Sequence, residues 1–190
     1  MDNTNIDAVL EAVLFASGEP LEAEKLSKTL LVSVDELTDS FERLRKEYSS
    51  SSHGITILNL GGKYQMCSKS LYIEQVRSVL ALKSNSPLSN AAFEVLAIIA
   101  YNQPVTKSFV EQIRGVDCSG VISTLCQRNL IEESGRLDLP GRPLLYCTTT
   151  NFLRCFGIES LDELPKIPEN NIEEPNDNKS DELEGQMSLI

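Results

Sequence analysis

The stretch from Phe93 to Gly157, FEVLAIIAYNQPVTKSFVEQIRGVDCSGVISTLCQRNLIEESGRLDLPGRPLLYCTTTNFLRCFG, decides the fold. Phe93, Leu96, Ala97 and Ala100 stand at i, i+3, i+4 and i+7, one face of a helix, and Cys118, Val121, Ile122, Leu125 and Cys126 repeat the stripe after Gly115. Between them, Thr106 is placed to cap a short helix carrying Phe109, Val110 and Ile113, and Gly115 supplies a tight turn before Asp117, the next expected cap. Two strand-like runs follow, Leu130 to Glu133 and Leu144 to Thr148, joined through a polar segment and Pro140-Gly141. Proline presets the first corner of a type II turn and glycine tolerates positive φ at the second. The order helix, helix, helix, hairpin predicts a winged helix. Asn151 to Phe156 adds a short closing helix bounded by Gly157, with Phe152 and Phe156 one turn apart.

Working outward, the same plan comes once before. Ile6, Val9, Leu10, Val13 and Leu14 give the first helix a broad buried face, and Gly18 and Pro20 end it. A second helix spans about Glu22 to Leu30. A third starts at Ser33, which forms a capping box with Glu36, and carries Val34, Leu37, Phe41, Leu44 and Tyr48. A hairpin follows: Ile55 to Leu58, a Gly61-Gly62 turn, and Tyr64 to Met66. Tyr72, Ile73, Val76, Val79 and Leu80 predict one more helix. The expected organisation is therefore an α+β, mostly helical chain: a winged-helix domain at 1–83, a linker at 84–87, a second winged-helix domain at 88–165 and a disordered acidic tail at 166–190. The tail carries prolines, asparagines and acids with too little apolar surface to offset its ordering entropy.

The formal charge of −11 is concentrated at the C-terminal end. Residues 1–83 hold 9 basic and 12 acidic side chains, residues 88–157 hold 6 of each, and residues 162–190 hold 2 and 9. A nearly neutral body argues against DNA binding driven by counterion release. No run of about 18 apolar residues and no secretory leader is visible, so the chain reads as cytoplasmic with no membrane partner. Five cysteines, Cys67, Cys118, Cys126, Cys147 and Cys155, lack the close pairing zinc requires, and read as reduced thiols acting as small hydrophobes. A Cys–His nucleophile would have to use His53, the single histidine, which sits in a serine-rich loop. No catalytic constellation, phosphate loop, cofactor site or metal site is indicated.

Gly141-Arg142-Pro143-Leu144-Leu145-Tyr146-Cys147-Thr148-Thr149, followed by Phe152-Leu153 and Phe156-Gly157, resembles the segregation and condensation protein B (ScpB) family. Glu94 to Thr106, Ile113 to Val116 and Arg128 to Ile131 look like the same family's second domain, and Ala12 to Leu21 like its first. Cys147 departs from a common glycine. The resemblance, over about residues 6 to 165, implies tandem winged-helix domains in a non-enzymatic subunit of the bacterial SMC condensin complex. It further implies a homodimer formed largely through the first domain, binding the kleisin subunit and through it the SMC ATPase heads, with DNA contact indirect or weak.

On the residues alone, Phe93, Leu96, Ile99 and Tyr101 cannot share one narrow stripe, so some are expected to face a partner helix; Leu96 reads equally well as core. Val9, Val13 and Phe41 are candidates for the dimer interface. Pro140, Gly141, Arg142, Pro143 and Tyr146 form the structural wing turn, where Arg142 is either an exposed tip or, as favoured, a fork pinning the turn. The competing function is a winged-helix transcription regulator. Its reading helix would span Ser33 to Tyr48 or Asp117 to Leu130, but the first carries Asp35, Glu36, Asp39, Glu42 and Glu47 beside Arg43, Arg45 and Lys46, and the second has only Arg128.

Overall fold

A computed structural model describes residues 5–81 and 86–166. Residues 84 and 85 of the expected linker and residues 167–190 of the expected tail lie outside the described residues.

The first unit begins with α1 (Ile6–Ser17), started by Asn5, whose side chain accepts from the Asp7 amide, and stopped by Gly18 at φ +64°. A two-residue strand, β1 (Leu21–Glu22), leads into α2 (Ala23–Leu30) and α3 (Val34–Tyr48), the latter capped by Ser33 accepting from the Glu36 amide. Then come β2 (Ile55–Asn59), β3 (Lys63–Ser68), a single 3-10 turn and α4 (Ile73–Val79). Gly61 and Gly62, at φ +65° and +83°, make the corner between β2 and β3. Two successive positive φ values are what a two-residue hairpin needs to match strand twist.

The second unit repeats that order: α5 (Asn90–Asn102), β4 (Val105–Thr106), α6 (Lys107–Arg114), α7 (Ser119–Gln127), β5 (Ile131–Arg136), β6 (Leu144–Thr148), and a closing α8 (Thr150–Phe156). Each unit has one antiparallel three-stranded sheet, ordered β1-β3-β2 and β4-β6-β5. Leu21 lies opposite Tyr64 in one and Val105 opposite Tyr146 in the other. The strands β1 and β4 escape sequence reading because two residues cannot display an alternation; only the hairpin beside them makes them strands.

Each unit buries its own core. In the first, Leu10, Leu14, Leu37, Phe41 and Ile57 are sealed, and the Phe41 ring stacks on Tyr64 at 3.8 Å. That corrects the expectation for Phe41: it is 0 % exposed and faces its own core, so it does not offer an interface. In the second, Val95, Leu96, Ile99, Val110, Cys118, Leu125 and Phe152 are sealed. Full burial contributes roughly 1.5–3 kcal/mol for each large aliphatic side chain, so the loss of any one is felt throughout a unit this small.

The units touch through the first hairpin. Leu60 belongs to the second core, as does Leu153, and the Gly61 amide donates to the Glu159 carbonyl at 2.8 Å. Arg45 on α3 pairs with the Glu159 carboxylate.

Two local expectations change. Cys118, rather than Asp117, is the residue preceding α7; its amide is satisfied by the Glu111 carboxylate at 3.0 Å, while Asp117 accepts from the Ser119 hydroxyl at 2.7 Å. Pro140-Gly141 does turn the wing, with Gly141 at φ +86° and the Arg142 amide donating to the Leu139 carbonyl at 2.8 Å. The fork, however, comes from a different arginine. Arg136 reaches across the hairpin to the Arg142 carbonyl at 3.1 Å, and among the described residues the Arg142 guanidinium has no hydrogen-bond partner. Placing Arg142 itself at φ +41° turns its side chain to solvent.

The α1–α3 pair is locked by polar contacts as well as by leucines. Arg43 donates to both Asp7 oxygens, at 2.9 and 2.7 Å, and the buried Ser40 hydroxyl donates to the same carboxylate. Those bonds, the arginine's foremost, hold the Asp7 carboxyl below its ordinary value of 3.8. Such a group contributes stability above its unfolded pKa and loses it as pH falls through the folded one. Asp7→Asn is therefore expected to lower unfolding free energy by a constant amount above about pH 4, with the deficit shrinking as the pH drops below that range. Urea unfolding of both proteins between pH 2 and 7 measures it; a deficit independent of pH would mean that the carboxylate charge is not what matters.

Candidate partner-binding surface

The helix α5 is apolar on nearly every side, and the structure sorts those sides. Ser89 caps it and Arg114 ties its second turn to α6 through Glu94 at 2.6 Å. Leu96 and Ile99 are 1 % and 0 % exposed, so neither is a partner contact: both face α7 and the hairpin across the core. Phe93 and Tyr101 remain outside, 47 % and 39 % exposed. The Tyr101 hydroxyl donates to the Pro165 carbonyl at 2.5 Å, tying the end of the described chain to the end of α5.

Phe109, Ile113 and Val116, on α6 and the turn after it, are exposed as well; the other exposed large apolar side chains among this unit's described residues, Leu137, Leu139, Phe156 and Leu161, lie on the wing and beyond it. Sequence reading placed Phe109 and Ile113 with Val110 on one helix, and only Val110 is buried. The four-residue spacing of Phe109 and Ile113 carried the signal of a second face on α6; its orientation could not be known without the neighbours.

The surface chemistry of the two helices that a DNA reader would use is unfavourable to phosphate. On α3, Arg43 is engaged by Asp7, and Arg45 by Glu42 and Glu159, leaving Lys46 among an excess of acids. On α7 the exposed residues are Ser119, Gly120, Ser123, Thr124 and Gln127, and Arg128 is spent on the Ser86 carbonyl and hydroxyl. A neutral or acidic field supplies no counterion release.

The remaining sequence-singled residues fall in supporting positions. Pro140, Gly141 and Arg142 form the exposed wing tip, Pro143 returns the chain to β6, and Tyr146 is buried in the centre of the second sheet. Val9 and Val13 are half-buried on α1. His53 sits edge-on to Tyr48 at 5.0 Å. Cys118 is core, and burial pushes the Cys67 and Cys126 thiols up. Among the described residues no group of three His, Cys, Asp or Glu could hold a metal ion, and no helix is long and apolar enough to cross a membrane.

Comparison with known proteins agrees along nearly the whole length. A family model described as segregation and condensation complex subunit ScpB matches residues 8–167. A segregation and condensation protein B of Ruminiclostridium cellulolyticum is 42 % identical over 176 residues, 93 % of each chain. Another from Caldanaerobacter subterraneus is 48 % identical over 158 residues, covering 83 % of this chain and 94 % of that one. A solved structure described as a dimer of the ScpB N-terminal domain complexed with ScpA peptide is 27 % identical, with a TM-score of 0.38 over 39 % of this chain and 93 % of the other.

The division of α5 between core and surface is measurable. Leu96→Ala is expected to cost about 2–5 kcal/mol and Phe93→Ala far less, because only the first opens a cavity. Denaturant midpoints compare them directly, and equal losses would mean that Phe93 is covered within the monomer.

Proposed function

The chain belongs to the family of the segregation and condensation complex subunit ScpB, and from that premise we propose that it is a non-enzymatic subunit of a bacterial SMC–kleisin condensin complex. In this reading the two units are tandem winged helices. Residues 1–83 form a homodimer, and residues 88–157 hold the kleisin, through which the SMC ATPase heads are reached. Its role is to support chromosome condensation and segregation in the cytoplasm, at the nucleoid.

The family match carries the reading. What supports it physically is the pairing of a phosphate-averse surface with uncovered apolar side chains on otherwise well-packed units. A fold that displays helices and a hairpin serves protein docking when the cations of its would-be reading helices are mostly tied up internally. Phe93 and Tyr101 on α5, with Phe109 and Ile113 on α6, are the side chains proposed to meet a kleisin helix.

Light scattering after size-exclusion chromatography tests this. The protein alone should run as a dimer, shift to a heavier complex with the kleisin, and leave a DNA duplex unshifted. Binding of duplex with steep salt dependence and indifference to the kleisin would instead establish a DNA-binding regulator. Removing residues 166–190 should change neither dimer mass nor kleisin binding; loss of either would assign the acidic segment a part in assembly.

A further inference from the structure

Among its described residues the first unit leaves two apolar features uncovered. One is α4, none of whose residues is buried. At 100° per residue its Ile73, Val76, Val79 and Leu80 fall within about 120° of the circumference, with Glu74 on the opposite side. Among the described residues of this unit, Leu71, Ile73, Val79 and Leu80 are four of the seven large hydrophobics that stand exposed, Val79 at 82 %. A seven-residue helix cannot persist in water on its own hydrogen bonds, so the stripe needs a surface to lie on.

The other feature is a surface to lie on. Alongside α1 runs an open groove of about 350 Å³, floored by Ala8, Ala12 and Met66 and flanked by Phe15, which is 79 % exposed. Ala8 and Ala12 are one turn apart, and their small side chains let another helix come close.

We propose that in the dimer the α4 helix of each copy seats its apolar stripe in the α1 groove of the other. The inference rests on the dimer reading above and names the surfaces that form it. A two-fold interface lets each copy give one helix and receive one, so both unpartnered features are covered by the same operation. Charge fits this arrangement. The groove helix α1 carries no Lys or Arg; its Asp7 is taken by Arg43, so Glu11, which lines the groove, is the acid on offer, whereas Arg77, paired with Glu74 at 3.4 Å, borders the α4 stripe beside Ile73. Two α4 helices paired with each other would leave both grooves open. Area fits as well. The exposed side chains on 71–80 amount to on the order of 400 Å² per copy, so the two helices alone bring about two thirds of the roughly 1,200 Å² that specific interfaces require, the rest falling to the walls of the two grooves.

Val79→Asp spoils the helix and Ala12→Arg spoils the groove, and both positions are exposed, so circular dichroism and melting temperature should match the unaltered chain. Each variant of the full chain, measured by light scattering over a concentration series, is expected to dimerise at least tenfold more weakly. An equimolar mixture of the two should recover heterodimer, since one intact helix then meets one intact groove. Variants that stay as dimeric as the parent, or a mixture that remains monomeric, would overturn the inference while leaving the dimer in place. A monomeric parent chain would overturn the dimer reading itself.

Discussion

Leu60 is the residue on which the arrangement of the molecule depends. It sits at the tip of the first hairpin, yet it is buried in the hydrophobic cluster of the second unit. A leucine driven into a neighbouring core fixes that neighbour's position, because the transfer from water is lost if the units part. The contact is reinforced where an apolar side chain cannot act. The Gly61 amide, at the corner of the same hairpin, donates to the backbone of Glu159, whose carboxylate takes Arg45 from α3. Gly61 suits this place because its φ is positive.

Within each unit the sheet is assembled from one local element and one distant one. The hairpin forms from neighbours in sequence, and the third strand comes from the start of the α2 or α6 helix, some forty residues away. In the second unit Gln103 braces this junction. Its side-chain oxygen accepts from the Thr148 amide at 2.6 Å and its nitrogen donates to the Thr148 hydroxyl at 3.0 Å, holding the end of β6 beside the approach to β4. In the first unit Gln65 plays a related part, donating to the Gly18 carbonyl at 2.7 Å and so tying β3 to the end of α1. Both glutamines fix how the hairpin is carried against the first helix, which in turn sets which helix faces remain outside.

The uncovered faces connect this architecture to assembly. Cores as small as these leave apolar residues over: on the first unit they include Ile73, Val79 and Leu80 around α4 and Phe15 on α1, and on the second Phe93 and Tyr101 on α5 and Phe109 and Ile113 on α6. Several of the cations that might have recruited nucleic acid are instead committed to internal pairs, Arg43 with Asp7, Arg45 with Glu159 and Arg114 with Glu94. Such a distribution suits a protein whose surface is used up by other proteins.

The sequence by itself determined the elements that are decided by neighbours along the chain. Ser33 and Thr106 cap the helices they were expected to cap, Gly18, Gly115 and Gly157 end theirs at positive φ, and the Gly61-Gly62 and Pro140-Gly141 corners stand where the strands predicted them. These depend on one to four consecutive residues and are therefore written locally. Tertiary structure decided the rest. Periodicity shows that α5 and α6 have apolar faces but not which neighbour each face meets, so Leu96 and Ile99 went to the core while Phe93 and Ile113 stayed outside. Phe41 was claimed by Tyr64, Arg136 rather than Arg142 braced the wing, and β1 and β4 became strands only through pairing. Apart from the Arg136 brace, which spans six residues of the wing, each of these outcomes joins residues far apart in the chain, and the free energy that selects among them exists only once both sides are present.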